Sequence, residues 1–246
     1  MKPRLIINAD DFGRSDTVNR GIVEKLSTGK VTSASIMANG ESFQEACEMV
    51  HNSRLTNSIG VHLVLDEGRP LSEEIKRFTD SNGKMCLERK AFVTDRDVLT
   101  AVYCELRAQI ECVIRERITP THLDSHRHFH VSFSVGKIVI ALAKEFDIRR
   151  IRLARNLACN GTVHARIYKW FYNSYLSRRI GTTDRFTDLL AFYENYKNGS
   201  GLKGSIECMC HLDASERGLR DKEFLESADF EHFISRYTLI DYSGLT

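Results

Sequence analysis

The chain has 246 residues, enough for one large domain, and 42% of them are hydrophobic, enough for a sizeable core. A formal charge of +2 sets up no field suited to nucleic acid or an anionic membrane surface. No apolar run approaches the roughly 18 residues of a membrane-spanning helix.

Met1-Lys2-Pro3-Arg4 leads straight into Leu5-Ile6-Ile7, which does not read as a signal peptide. That apolar run predicts a buried strand, and Asn8-Ala9-Asp10-Asp11-Phe12-Gly13 ends it at a polar site. Ser15 or Asp16 is placed to cap a helix whose Val18, Ile22, Val23 and Leu26 recur at helical spacing, and Gly29 closes it. Residues 31–38 read as a second strand and 42–51 as a second helix, with Phe43, Ala46, Cys47 and Val50 on one face. A third strand covers 58–65, with His62 opposite its apolar stripe. From 66 to 94 periodicity gives way to charged and turn-forming residues. A connection of that length predicts a lid or insertion within a single domain spanning 1–246.

A long amphipathic helix is expected over 95–117, and Pro120 opens a His-rich strand. Helix is expected over 135–146, then strand over 148–153 with Arg150 and Arg152 alternating outward. The next helix, 163–180, is expected to turn Ile167, Trp170, Phe171 and Leu176 inward, which makes Tyr168, Trp170 and Phe171 core rather than a sugar-stacking platform. Residues 189–193 are too few to assign. A strand over 205–210 ends at His211, a charged helix covers 221–235, and 237–242 forms the last strand. This alternation favours a mostly parallel sheet or an irregular α/β barrel. The seven cysteines (47, 86, 104, 112, 159, 208 and 210) are odd in number and lack a CxxC pair, which predicts reduced thiols and a cytoplasmic location.

Chemistry concentrates at Thr121-His122-Leu123-Asp124-Ser125-His126-Arg127-His128-Phe129-His130. If this stretch is extended, His122, Asp124, His126, His128 and His130 share one face. Four imidazoles and a carboxylate make a poor core surface but a suitable place for a divalent ion and an activated water. Asp10 and Asp11, His62, His126 and His211 each stand where a predicted strand ends, and parallel α/β folds gather those ends on one side. Adjacent strand residues face oppositely, so Asp10 and Asp11 can serve one site only if the strand ends or bulges there.

The blocks Asn8 to Gly13, Gly60-Val61-His62-Leu63, His122 to His130 and Cys210-His211 resemble successive signatures of the YdjC-like carbohydrate deacetylases, a family that includes chitooligosaccharide deacetylases. The resemblance runs from residue 4 to about 242. It implies a distorted (β/α) barrel with one divalent ion on Asp11, His62 and His126, and removal of N-acetyl groups from amino sugars. Mg²⁺ is implied by the family; Zn²⁺, Mn²⁺ and Co²⁺ suit the donor set as well. Asp10 is then the general base and His211 the acid, with His128 as the alternative acid. His128, His130 and Arg155 are expected at the substrate, and Asp124 is expected to hold the second nitrogen of His126. A homodimer is also implied. Leu212 follows His211 where relatives commonly carry proline, and Ala154-Arg155-Asn156 lacks an acidic residue that some relatives have. Arg150, Arg152 and Arg155 read as a solvated basic face, or as binders of an anionic sugar substituent. Two other functions fit a His/Asp cluster: a metal-dependent phosphoesterase, and a catalytically silent carbohydrate-binding protein.

Overall fold

Leu5, Ile6 and Ile7 have no exposed surface, and they open β1 (Arg4–Phe12), the strand at the centre of the sheet. The computed structural model describes residues 2–90, 93–158, 161–198 and 201–245. On one side of β1 stand β2 (Ser33–Ile36), β3 (Ile59–Leu63) and β4 (Leu123–Ser125); on the other stand β6 (Ser205–Cys210) and β5 (Arg185–Asp188). The order is β4-β3-β2-β1-β6-β5 with every pairing parallel, and β7 (Thr238–Leu239) joins the start of β1. Bridges from Leu123 to Ile151 and from Arg150 to Gly181 draw the outer strands towards each other. The result is the expected α/β architecture, an irregular and partly open barrel. The strands are buried, and polar residues such as Ser35, Asp124 and Glu207 lie buried among their apolar ones.

Helices cover the outside: α1 (Asp16–Ser27), α2 (Phe43–Asn52), α3 (Arg96–Arg115), α4 (Phe133–Glu145), α5 (Val163–Ser177), α6 (Leu189–Tyr196), α7 (Glu216–Glu226) and α8 (Ala228–Ile234). Ser15 caps α1 by accepting the Val18 N–H, and Asp95 caps α3 by accepting those of Asp97 and Val98. The single helix expected over 221–235 is two. Ser227 ends α7 and its hydroxyl accepts the Phe230 N–H, starting α8. A continuous charged pattern hides such a break.

α5 departs further from expectation. Leu176 is buried, but Ile167, Trp170 and Phe171 are 59%, 71% and 52% exposed. Apolar residues occur all round this helix, so periodicity does not select a face. Tyr172 and Asn173 face the barrel instead, and the Asn173 amide holds both the N–H and the carbonyl of Ala154 at 2.9 Å.

Among the described residues, the 66–94 segment carries a 3-10 turn at Lys76–Phe78 and an isolated bridge between Thr79 and Met85. The buried Glu105 of α3 pins it by accepting the Leu71 and Ser72 N–H groups at 2.9 and 2.8 Å. Residues 91 and 92 of that segment, and Cys159, lie outside the described residues. No helix among the described residues is long and apolar enough to cross a membrane.

Candidate active site

The end of β1 meets the condition that its two aspartates impose. Ala9 pairs with Ala34 but Phe12 with Ile36, so the register slips between them, and Asp11 takes a left-handed φ of 67°. The irregularity sends two consecutive carboxylates to different partners in the same mouth of the barrel, Asp11 to His62 and Asp10 to an arginine.

His62 sits at the upper end of β3, buried. Its Nδ1 lies 2.8 Å from Asp124 Oδ1, and its Nε2 lies 3.1 Å from Asp11 Oδ1. That second approach lacks hydrogen-bond alignment, leaving Asp11 Oδ1 buried without a hydrogen-bond partner. The His126 ring is 6.0 Å from that of His62, its Nδ1 lies 3.0 Å from Asp66 Oδ1, and its Nε2 is 3.9 Å from Glu67 Oε2. Both imidazoles thus have Nδ1 held by a carboxylate and Nε2 left for another partner. Histidines that bind metals are commonly oriented in this way. Arg14 borders the group, 3.1 Å from Asp11 Oδ2 and 3.0 Å from Glu67 Oε2. Burial disfavours charge on His62, but Asp124, Asp11 and Asp10 override it and hold the ring's pKa well above the ordinary value.

Asp124 therefore orients His62, whereas His126 is oriented by Asp66. The expected single face of five residues does not form. β4 lasts three residues, and the backbone then enters the left-handed region at Arg127 (φ 45°) and His128 (φ 57°), breaking the alternation. His122 lies inside the barrel, stacked 3.7 Å from the Tyr242 ring; a Cβ on Gly60 would stand 2.3 Å from its Cε1. His130 is fully buried, with Nδ1 2.6 Å from Ser125 Oγ and Nε2 without a hydrogen-bond partner. Burial pushes the pKa values of His122 and His130 down to about 3. His128 packs edge-on against Phe186 in the mouth, and its Nδ1 has no partner. Burial, then His130, hold it well below the ordinary histidine value.

Arg152 overturns the solvated basic face. It has no exposed surface, and its guanidinium meets three buried carboxylates. Nη1 and Nη2 each lie 2.7 Å from an Asp10 oxygen, Nη1 lies 2.6 Å from Asp124 Oδ2, and Nε lies 2.5 Å from Glu207 Oε1. Burial alone would raise the Asp10 pKa; the Arg152 charge and hydrogen bonds hold it well below the usual carboxylate range. Asp10, His62 and Asp124 offer ligand atoms within 4.8 Å of one another, a buried cluster able to hold a metal ion. Arg152 already supplies a cation to both of its carboxylates, whereas Asp11, on the Nε2 side of His62, has Arg14 beside Oδ2 and no hydrogen-bond partner at Oδ1.

His211 follows β6. Its backbone N–H donates to Asp221 Oδ2 at 2.9 Å, and its unpartnered Nδ1 lies 3.9 Å from the same oxygen. Burial lowers its pKa and raises that of Asp221 to about 6. Leu212, in the place of proline, packs against Gly21. Arg155 reaches Asp188 at the end of β5, which Arg217 of α7 also binds. Four groups here escaped sequence reasoning. Asp66 stands three residues after β3, and Arg152 alternates with the buried Ile151 and Leu153, which turns it to the barrel interior. Nothing local marks Glu207 or Asp221.

The model of the YdjC-like protein family matches residues 4–236. A carbohydrate deacetylase of Clostridium beijerinckii is 33% identical over 230 residues, covering 93% of this chain and 87% of the relative. One from Geobacillus stearothermophilus is 36% identical over 213 residues, covering 86% and 80%. Among solved structures, a protein described as a cellobiose-phosphate cleavage protein from Enterococcus faecalis superposes with a TM-score of 0.78 at 25% identity, covering 99% of this chain and 98% of that one. With its opening Asp-Asp pair, its histidines at the strand ends and a family match across nearly its whole length, this chain belongs to the YdjC-like family.

Proposed function

We propose that this protein is a metal-dependent deacetylase that hydrolyses the acetamide of an N-acetylated amino sugar, with short chitooligosaccharides or their phosphates as the substrate class. One observation carries the reading. His62 Nε2 lies 3.1 Å from Asp11 Oδ1, which has no hydrogen-bond partner, the His126 ring lies 6.0 Å from that of His62, and a carboxylate holds Nδ1 of each ring. Two imidazoles and one carboxylate fit a divalent ion and leave coordination positions for water and the substrate carbonyl. When bound, such an ion polarises the amide and lowers the pKa of a coordinated water.

The chain's own residues supply the rest. Asp10 stays ionised and is the proton acceptor; Arg152 and the Asn8 amide (2.9 Å) fix its orientation. Its lowered pKa makes it a weak base, so it suits a water already acidified. His211, in the mouth and backed by Asp221, is the donor to the departing amine, with His128 as the alternative. Arg155 is placed to meet the sugar. Asp66 and Glu67 begin the 66–94 segment, which supports that segment as a cover over the bound substrate.

The test is acetate release from diacetylchitobiose before and after EDTA, and after return of Mg²⁺, Mn²⁺, Co²⁺ or Zn²⁺. Activity is expected to vanish with chelation and return with metal. Asp10→Asn is expected to retain the ion by elemental analysis while turnover falls by about 10²–10⁴-fold. Turnover that survives stripping, or an undiminished Asp10→Asn enzyme, removes the proposal.

A further inference from the structure

A second recognition site lies outside the barrel mouth, on the flank of α5. Trp170 is 71% exposed, and it borders a cavity of about 450 Å³ between α5 and the segments 153–156 and 182–184. That volume lies within the range of small-molecule sites. Arg166 and Lys169 line the same cavity, and among the described residues neither has an acidic partner. The nearby acid is engaged elsewhere: Asp184 Oδ2 accepts from the Ser205 N–H at 2.7 Å and from its hydroxyl at 2.8 Å. Thr183, also in the wall, is 2% exposed and its hydroxyl has no hydrogen-bond partner. A buried hydroxyl without a partner is uncommon in a folded protein and suits a ligand that completes it.

An indole face, two uncompensated cations and an unpaired hydroxyl around one cavity describe a specific chemistry. The indole accepts the apolar face of a sugar ring, the cations accept an anionic substituent, and the hydroxyl pairs with a ring hydroxyl. We propose that this groove binds a saccharide unit carrying phosphate or carboxylate. Arg155 lines both this cavity and a neighbouring one that contains Asp188 and Asp221, and Asp221 holds the backbone of His211. Only the choice of a saccharide rests on the deacetylase reading.

Trp170 is the sole tryptophan, so its emission reports this site directly. The intact protein is titrated with glucose 6-phosphate, glucuronate, glucose and inorganic phosphate, and acetate release from diacetylchitobiose is measured in parallel. At least one acidic sugar is expected to change the emission saturably, with a dissociation constant on the order of 1 mM or tighter. Glucose is expected to bind about tenfold more weakly, and inorganic phosphate to leave the emission unchanged because it does not cover the indole. The double variant Arg166→Ala/Lys169→Ala alters exposed or half-buried side chains and is expected to lose the response while deacetylating the short neutral substrate normally. Thr183→Val is expected to weaken the response several-fold without loss of fold by circular dichroism. Four results overturn the proposal: no saturable change with either acidic sugar, an equal response to glucose, a response kept by the double variant, or an emission shift that depends on protein concentration alone. The last would mean that a second copy covers Trp170. Acetate release that fails while acidic-sugar binding persists counts against the deacetylase reading and leaves the groove standing.

Discussion

Arg152→Met is the sharpest perturbation the structure offers. Methionine fills much of the arginine stem's volume but leaves Asp10, Asp124 and Glu207 without the cation that they share. Removing one partner of a buried ion pair costs about 3–5 kcal/mol, because the other charge stays buried and uncompensated. Three carboxylates on one guanidinium place this variant at the upper part of that range. Total stability of a domain is about 5–15 kcal/mol, so the loss is a large fraction of it. For a chain of this length each kcal/mol shifts Tm by about 2–4 °C, so a loss of about 4–5 kcal/mol gives a fall of roughly 8–20 °C. The assay is thermal unfolding by circular dichroism at pH 7 in EDTA, run on wild type, Arg152→Met, Glu207→Leu and the double variant. Deleting Glu207 removes one stranded charge, so the double variant is expected to be less destabilised than the sum of the singles by at least about 1 kcal/mol. An Arg152→Met protein melting within about 2 °C of wild type, or strict additivity in the cycle, refutes the buried hub.

Asp221→Asn tests the titration behind His211. Burial raises the Asp221 pKa to about 6, so the folded state holds this proton more tightly than the unfolded one. The stability tied to that proton is present below about pH 4 and is lost as pH rises through 6; asparagine cannot ionise, so the variant is expected to gain up to about 3 kcal/mol at pH 7 and nothing at pH 4. Urea unfolding at both pH values reads this, and a gain independent of pH contradicts it. Gly60→Ala is expected to destabilise by about 1–3 kcal/mol, since the stacked His122 leaves no room for a Cβ. The same denaturation assay measures it, and a neutral substitution would mean that His122 is free to move. Asp66→Ala frees the His126 ring and is expected to weaken metal affinity about 10–100-fold in a competitive chelator titration, with the fold intact. Unchanged affinity would separate His126 from the ion.

Elements whose pattern is local were legible in the sequence: β1 with its polar end, the capped helix α1, the strand of His62, and the long helix after the irregular 66–94 segment. The bulge that Asp10 and Asp11 require follows from strand alternation alone, and the register shift between Ala9 and Phe12 meets that requirement. The failures have separate causes. Strand periodicity says which residues share a face only while the strand lasts; β4 ends at Ser125, and the left-handed turn at Arg127 and His128 redirects His128 and His130. Partner choice is equally invisible: Asp124 lies two residues from His126 yet serves His62, because β3 and β4 pair His62 directly with Asp124. Arg152 looked solvated by composition, but a barrel interior built around Asp10, Asp124 and Glu207 demands a cation, and long-range closure supplies it.

Asp10 and Asp11 are joined by one peptide bond, so consecutive Cα atoms stand about 3.8 Å apart whatever the loops around them do. The backbone spacing between the proposed proton acceptor and its neighbouring ligand is therefore written into covalent geometry. Loops elsewhere, the 66–94 segment among them, can then change while the innermost pair keeps its Cα separation. An insertion or deletion between β1 and its bulge is the one kind of change that this arrangement has no means to absorb.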